Sequence, residues 1–363
     1  MKKIIIALCV AVGLFAIGYN AYQSEKQATT GKRKVYAVFP MSGPFATYGK
    51  DLQKIMNIYI AQKDFDFEIK YIDSAGNPTT AVTALQQATV NDKHPIVISA
   101  FSYISTVLAP VVHDKNGFLF GMFTVSISSD TNSYQRISGT AKDTIKPMIE
   151  YMKNNPQKNG VICIQDEYSL SELKAIKEEG VKIDTEMFLD FNVLDVRNSV
   201  AKFLSNKPER VIVLGQPCAP YMNIFRQLKQ QEFKGEVFAD SGMSNPPIIK
   251  ALGDNAEGVY TSTMTIESDM PLPDKVKTMG ELLKKENVPV YISVSEAVDI
   301  LDVIQYTLEN NLPFTQETYA KMGKWDGLAG TTYFPGNGQA TVDFYILTRR
   351  QNHKFLPVIE KEE

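Results

Sequence analysis

The sequence predicts an α/β protein built as two doubly wound lobes, and three observations carry that prediction. From Lys34 onward, short β-branched runs alternate with helical stretches of about 12 to 18 residues, the pattern of parallel βαβ units. The alternation comes as two consecutive series, where one series would make one sheet. The chain has 363 residues, more than one small core serves, and its 22% charged and 44% hydrophobic residues suit a packed globular protein.

In the first series, "KVYAVF" at 34–39 reads as a strand, "KDLQKIMNIYIAQ" at 50–62 as a helix and "EIKYID" at 68–73 as a strand. A helix follows over 78–91, a strand over 95–101, a helix over 105–116 and a strand over 118–123. The second series opens with the helical stretch 140–155 and continues through strands at 160–165, 186–191, 210–215 and 236–241. After it come a strand at 258–264, a long helix at 291–311 and a closing hairpin at 331–350. In the hairpin, Gly336-Asn337-Gly338 supplies the turn between alternating apolar residues.

Open parallel sheets bind ligands outside the carboxyl ends of their strands. The segments to inspect are therefore 40–49, 99–106, 124–130, 165–171, 215–221 and 240–245. They are rich in hydroxyls, contain the strand-exit acids Asp166 and Asp240, and hold no histidine. The first of them resembles a phosphate loop only superficially. Five residues separate Gly43 from Gly49, and Asp51 stands where a P-loop needs a hydroxyl, so the spacing argues against a nucleotide. His94, His113 and His353 fall in a loop, a helix and the hairpin, and no nucleophile elbow, H-E-x-x-H, C-x-x-C or G-x-G-x-x-G is present. The sequence therefore points to binding and not to catalysis, with no metal or cofactor.

The N-terminus has the layout of an export signal: Lys2 and Lys3, an apolar run from Ile4 to Ile17, then a polar stretch. Tyr19 occupies the third position before a cut after Ala21, with Ala16-Ile17-Gly18 another candidate, which leaves a cleaved signal, an uncleaved anchor or a lipidated Cys9 open. Ile4 to Tyr22 is close to the ~20 residues that span a bilayer. Cys9 lies inside the apolar run, where a lipidated cysteine would close it. The net charge of −3 becomes more negative without Lys2 and Lys3, which gives nucleic acid no footprint. Cys163 and Cys218 are too few for a disulfide framework and read as buried thiols, one mutual disulfide being the alternative.

Several stretches together resemble the type I periplasmic binding proteins, and among them the branched-chain amino-acid (Leu/Ile/Val) binding family of ABC transporters. They are "VYAVFPMSGPFATYG", "YIDSAGNPTTAV", "VISAFSYISTVLAPVVHDKNGFLF", "AEGVY", "SEAVDILDVIQYTLE" and "GLAGTTYFPGNGQATVDFYIL". The resemblance implies two Rossmann-like lobes joined by a three-segment hinge. It assigns 1–32 to a signal or anchor with a linker, 33–139 and 264–331 to lobe one, and 140–263 and 332–363 to lobe two. It also implies a monomer in the periplasm or another extracytoplasmic space, which captures a small ligand such as an amino acid and delivers it to an ABC transporter permease in the inner membrane.

Carried over position by position, Tyr48 is the implied aromatic wall, with Gly43 and Gly49 as turns. Ser102, Tyr103, Thr124 and Ser126 match the hydroxyl-bearing positions that hold a carboxylate and an ammonium, and Tyr168 the tyrosine that closes on the ligand. Tyr103 replaces a usual serine, Pro217 a frequent aromatic, and Ser241 the amine-binding acid, with Asp240 one residue earlier. Gly76 and Ser102 stand where the family has a disulfide. These departures keep a second reading open, a membrane-tethered sensor or interaction protein with an altered pocket.

Overall fold

A computed structural model describes residues 31–216, 218–264, 274–288 and 292–358. The export reading and Pro217 fall outside them. The first sheet contains β1 (Arg33–Phe39), β2 (Phe67–Asp73), β3 (Ile96–Ala100), β4 (Phe118–Met122) and β5 (Tyr134–Arg136), in the order β2-β1-β3-β4-β5. All its pairings are parallel. Helices α1 (Ala46–Ile60), α2 (Pro78–Ala88) and α3 (Ser102–His113) connect them.

A strand buried on both faces must be apolar throughout, and β1 shows how the residues divide. Val35, Ala37 and Phe39 enter the core shared with α1, whereas Tyr36 and Val38 enter the one shared with α2 and α3. Asn77 starts α2 by accepting from the Thr80 N–H at 3.0 Å, with Pro78 at the first helical position.

The second layer begins with α4 (Ala141–Asn154), started by a capping box between Thr140 and Asp143. Next come β6 (Asn159–Ile164), α5 (Glu167–Glu178), β7 (Thr185–Leu189), α6 (Arg197–Leu204), β8 (Arg210–Leu214) and α7 (Ala219–Gln230). β9 (Glu236–Ala239), α8 (Pro246–Leu252) and β10 (Tyr260–Met264) complete the series. The chain then gives α9 (Asp274–Lys285), α10 (Ile292–Glu309), α11 (Gln316–Met322), β11 (Lys324–Asp326), β12 (Thr331–Tyr333), β13 (Thr341–Val342), β14 (Tyr345–Gln351) and β15 (Lys354–Pro357). The second sheet has the order β15-β14-β10-β9-β8-β6-β7, with β14 and β15 antiparallel to their neighbours.

Two departures from the sequence reading have clear causes. The closing segment is not one hairpin. β12 and β13 pair across the glycine turn in a small sheet with β11, and β14 leaves to pair with β10, Tyr260 opposite Arg349. Residues 332–342 also pack on the first sheet: the Arg136 N–H donates to the Gly338 carbonyl at 2.8 Å, and Phe334, Ala340 and Val342 join the core around Val35. Gly49 is no turn but part of α1, where a β-carbon would collide with the Pro40 carbonyl. Gly43 is the turn residue, at φ 77° with the Ala75 carbonyl 2.8 Å from where its β-carbon would lie.

Candidate ligand-binding site

Both sheets reverse their winding beside their first strand, and a crevice opens outside the strand ends at such a switch point. In the first sheet it lies between β1 and β3, and in the second between β6 and β8. The residues leaving these four strands meet in a single cleft with about 630 Å³ of empty space, its open mouth included. From the first sheet come Tyr48 on α1, Phe101, and Phe123 to Val125 after β4. Tyr168 on α5, Gln216, Asp240 to Gly242 and Asn245 come from the second. Ser138, Thr144, Glu296 and Tyr345 close the remaining walls.

Asp240 is the electrostatic centre. It is 0% exposed, and its two oxygens accept from the Gly215 N–H at 2.9 Å and the Gly242 N–H at 2.8 Å. Burial outweighs these bonds and pushes its carboxyl up to about 7, with Asp166 nearby adding to the rise. Glu296 on α10 is the second acid. Its Oε2 accepts from the Phe123 N–H at 2.6 Å, and burial raises it to about 7 although Arg136 opposes the shift. Behind Asp240, Glu172 is fully buried, takes a hydrogen bond from Thr144 Oγ1 at 3.1 Å, and is raised well above the carboxylate range by burial and then by Asp240. None of the described residues lining the cleft is lysine, arginine or histidine.

The walls are aromatic. Phe101 stacks on Tyr103 at 6.1 Å between centroids and on Phe123 at 6.1 Å, and Tyr48 meets it edge-on at 6.2 Å. Phe101 holds φ 73°, an uncommon conformation for a side chain of this size. The Tyr48 hydroxyl is buried without a hydrogen-bond partner, the Asn245 side chain lying beside it outside normal geometry.

Of the residues singled out from the sequence, the cleft brings together Tyr48, Thr124, Tyr168, Asp240 and Ser241. Tyr168 and Ser241 share a hydroxyl–hydroxyl bond of 3.3 Å, and Thr124 Oγ1 donates to the Met122 carbonyl at 2.7 Å. The other three lie off the cleft wall. Ser102 is buried with an unpartnered hydroxyl, and Tyr103 donates to the Gly76 carbonyl at 3.3 Å. Ser126 Oγ donates to Glu167 Oε1 at 3.0 Å, and Ser128 Oγ reaches the same oxygen at 2.7 Å, so the loop after β4 clasps the start of α5. Phe101, Phe123, Gln216, Asn245, Glu296 and Tyr345 were not singled out from the sequence. Cys163 and Cys218 are both free and buried, and burial pushes both thiols up to about 12.

Asp240 and Glu296, with Glu172 shifted in the same direction, set a pH dependence. In the unfolded chain the first two ionise near pH 4, whereas in the fold they keep their protons to about 7. The folded state therefore binds more protons between those values, and stability is lost as pH rises through that window. Glu179, held at about 2 by Lys142 and Lys153, is ionised throughout it. Chemical unfolding of the ligand-free protein should show a lower midpoint at pH 8 than at pH 5, and Asp240→Asn should shrink the difference. A midpoint that rises with pH would contradict the assignment.

A family profile described as periplasmic binding protein matches residues 34–354. No curated protein matches the chain. Among solved structures, a leucine binding protein from Thermotoga maritima superposes with a TM-score of 0.78 at 19% identity, covering 90% of this chain and 98% of that one. A solute binding protein of an ABC transporter from R. palustris, in complex with 4-hydroxybenzoate, gives 0.75 at 16% identity over 90% and 96%. An extracellular ligand binding receptor from Desulfohalobium retbaense gives 0.76 at 16% identity over 91% of this chain, which spans only 60% of that receptor.

Proposed function

We propose, from the premise that the chain belongs to the type I periplasmic binding proteins, that it is an extracytoplasmic solute-binding protein for small amine-bearing molecules, amino acids or related compounds. It captures them between its lobes and delivers them, as a monomer, to an ABC importer permease in the inner membrane. The observation that carries this reading is Asp240, a buried carboxylate lining an aromatic cleft. An ammonium desolvated there gains both the charge pair and the faces of the tyrosine and phenylalanine rings. Tyr48, Tyr168 and Ser241 surround the acid as polar neighbours, and Thr124 forms the facing wall. Tyr103 acts indirectly through its stacking on Phe101 and Ser126 through its bond to Glu167, while Ser102 is buried off the cleft wall.

A thermal-shift panel of amino acids, amines and hydroxylated benzoates tests this. A ligand at 100 times its dissociation constant adds ~2.7 kcal/mol of stability. Amine-bearing compounds should raise the melting temperature. A response to benzoates alone would overturn the amine assignment. Silence across the panel would overturn solute capture and favour a membrane-tethered sensor or interaction protein.

A further inference from the structure

Among the described residues, three buried side-chain atoms of the cleft lack a hydrogen-bond partner: Gln216 Oε1 and Asn245 Oδ1, which only accept, and the Tyr48 hydroxyl, which can donate or accept. Gln216 and Asn245 are each 6% exposed, and both line the wall beside the carboxylates of Asp240 and Glu296. Buried acceptors demand donors, and an occupant that supplies them recovers their desolvation cost. A carboxylate supplies none, and above about pH 7, where Asp240 and Glu296 are ionised, two like charges nearby repel it.

No lysine, arginine or histidine side chain is among the described residues that line the cleft. Arg136 is fully buried but spent on the carbonyls of Thr124, Ser138, Gly139 and Ala340 and on Gln339 Oε1. Ser102, the first residue of α3, does not line the cleft. We propose that the ligand is a primary amine without a carboxylate, the kind of molecule an amino acid becomes when it loses carbon dioxide. Its ammonium pairs with Asp240 and Glu296, and its hydrocarbon part lies against Tyr48, Phe101 and Phe123. This rests on the reading of the cleft as a solute site and narrows what the site accepts.

Matched pairs decide it: tyramine against tyrosine, phenethylamine against phenylalanine and cadaverine against lysine, titrated calorimetrically into the purified protein at pH 8. At least one amine should bind ten or more times tighter than its parent amino acid. Glu296→Gln, which keeps a carbonyl acceptor for the Phe123 N–H, should weaken that amine at least tenfold while the ligand-free melting temperature stays within a few degrees. Equal or tighter binding of the parent amino acids overturns the inference and leaves solute capture standing. Failure of every amine in the set overturns it as well.

Discussion

Replacing Asp240 with asparagine is expected to weaken an amine ligand by at least thirtyfold while leaving both lobes folded. Removing one partner of a buried, hydrogen-bonded charge pair costs about 2–5 kcal/mol, and ~1.4 kcal/mol is a factor of ten. That spans roughly thirtyfold to more than a thousandfold. The fold has less to lose. The amide side chain would keep one acceptor for the N–H groups of Gly215 and Gly242 and lose the other, but the substitution would also remove an acid whose burial opposes ionisation. These effects offset each other, so the ligand-free melting temperature at pH 8 should move little. Calorimetric titration beside a thermal melt separates the two. Unchanged affinity in a folded variant would sink Asp240 as the amine partner.

Asp240 was legible in the sequence as an acid directly after a parallel strand, although Asp166 has the same placement and instead caps α5, accepting from the Ser169 N–H at 3.0 Å. Tyr48, Thr124 and Tyr168 came instead from the family resemblance, matched position by position, and all three line the cleft. Ser102 and Tyr103 were harder, because the helix expected from 105 begins at Ser102. That earlier start follows from the φ of 73° at Phe101, and no sequence pattern announces a positive φ in a phenylalanine.

Glu296 did leave a signal. Glu296, Asp299 and Asp302 recur every three residues along a helix rich in apolar residues, and each has a fixed partner. Glu296 receives the Phe123 N–H, Asp299 the Leu328 N–H at 2.8 Å, and Asp302 the Tyr59 hydroxyl at 2.7 Å. An acid stripe on a buried helix face had a reading available. The closing hairpin misled for the opposite reason: its alternation was real, but alternation does not tell a strand which sheet to join.

Arg136→Met is expected to cost about 3–5 kcal/mol of folding stability, the range for stripping the partner from a buried charged network. Replacing a whole buried ion network with apolar residues can be neutral, because both sides vanish together. Here they cannot. Four of the partners are main-chain carbonyls, at 2.6, 3.1, 2.8 and 3.2 Å, and they stay behind whatever side chain occupies position 136. Each buried carbonyl left without a donor costs about 1–3 kcal/mol.

The positions of those carbonyls also matter for binding. Ser138 and Gly139 lie where the chain leaves the first sheet for α4, Ala340 lies on the segment that leads to β14, and Thr124 and Ser138 line the cleft. One guanidinium thus ties two connections between the sheets to the wall of the site. Arg136→Lys keeps the charge, with three donors in place of five, and should fall between wild type and Arg136→Met. Urea unfolding of the three proteins measures the order. Wild-type stability in Arg136→Met would mean that the carbonyls find other donors and that the knot carries little. A large loss accompanied by weaker amine binding in the still-folded Arg136→Lys would tie the geometry of the cleft to this one side chain.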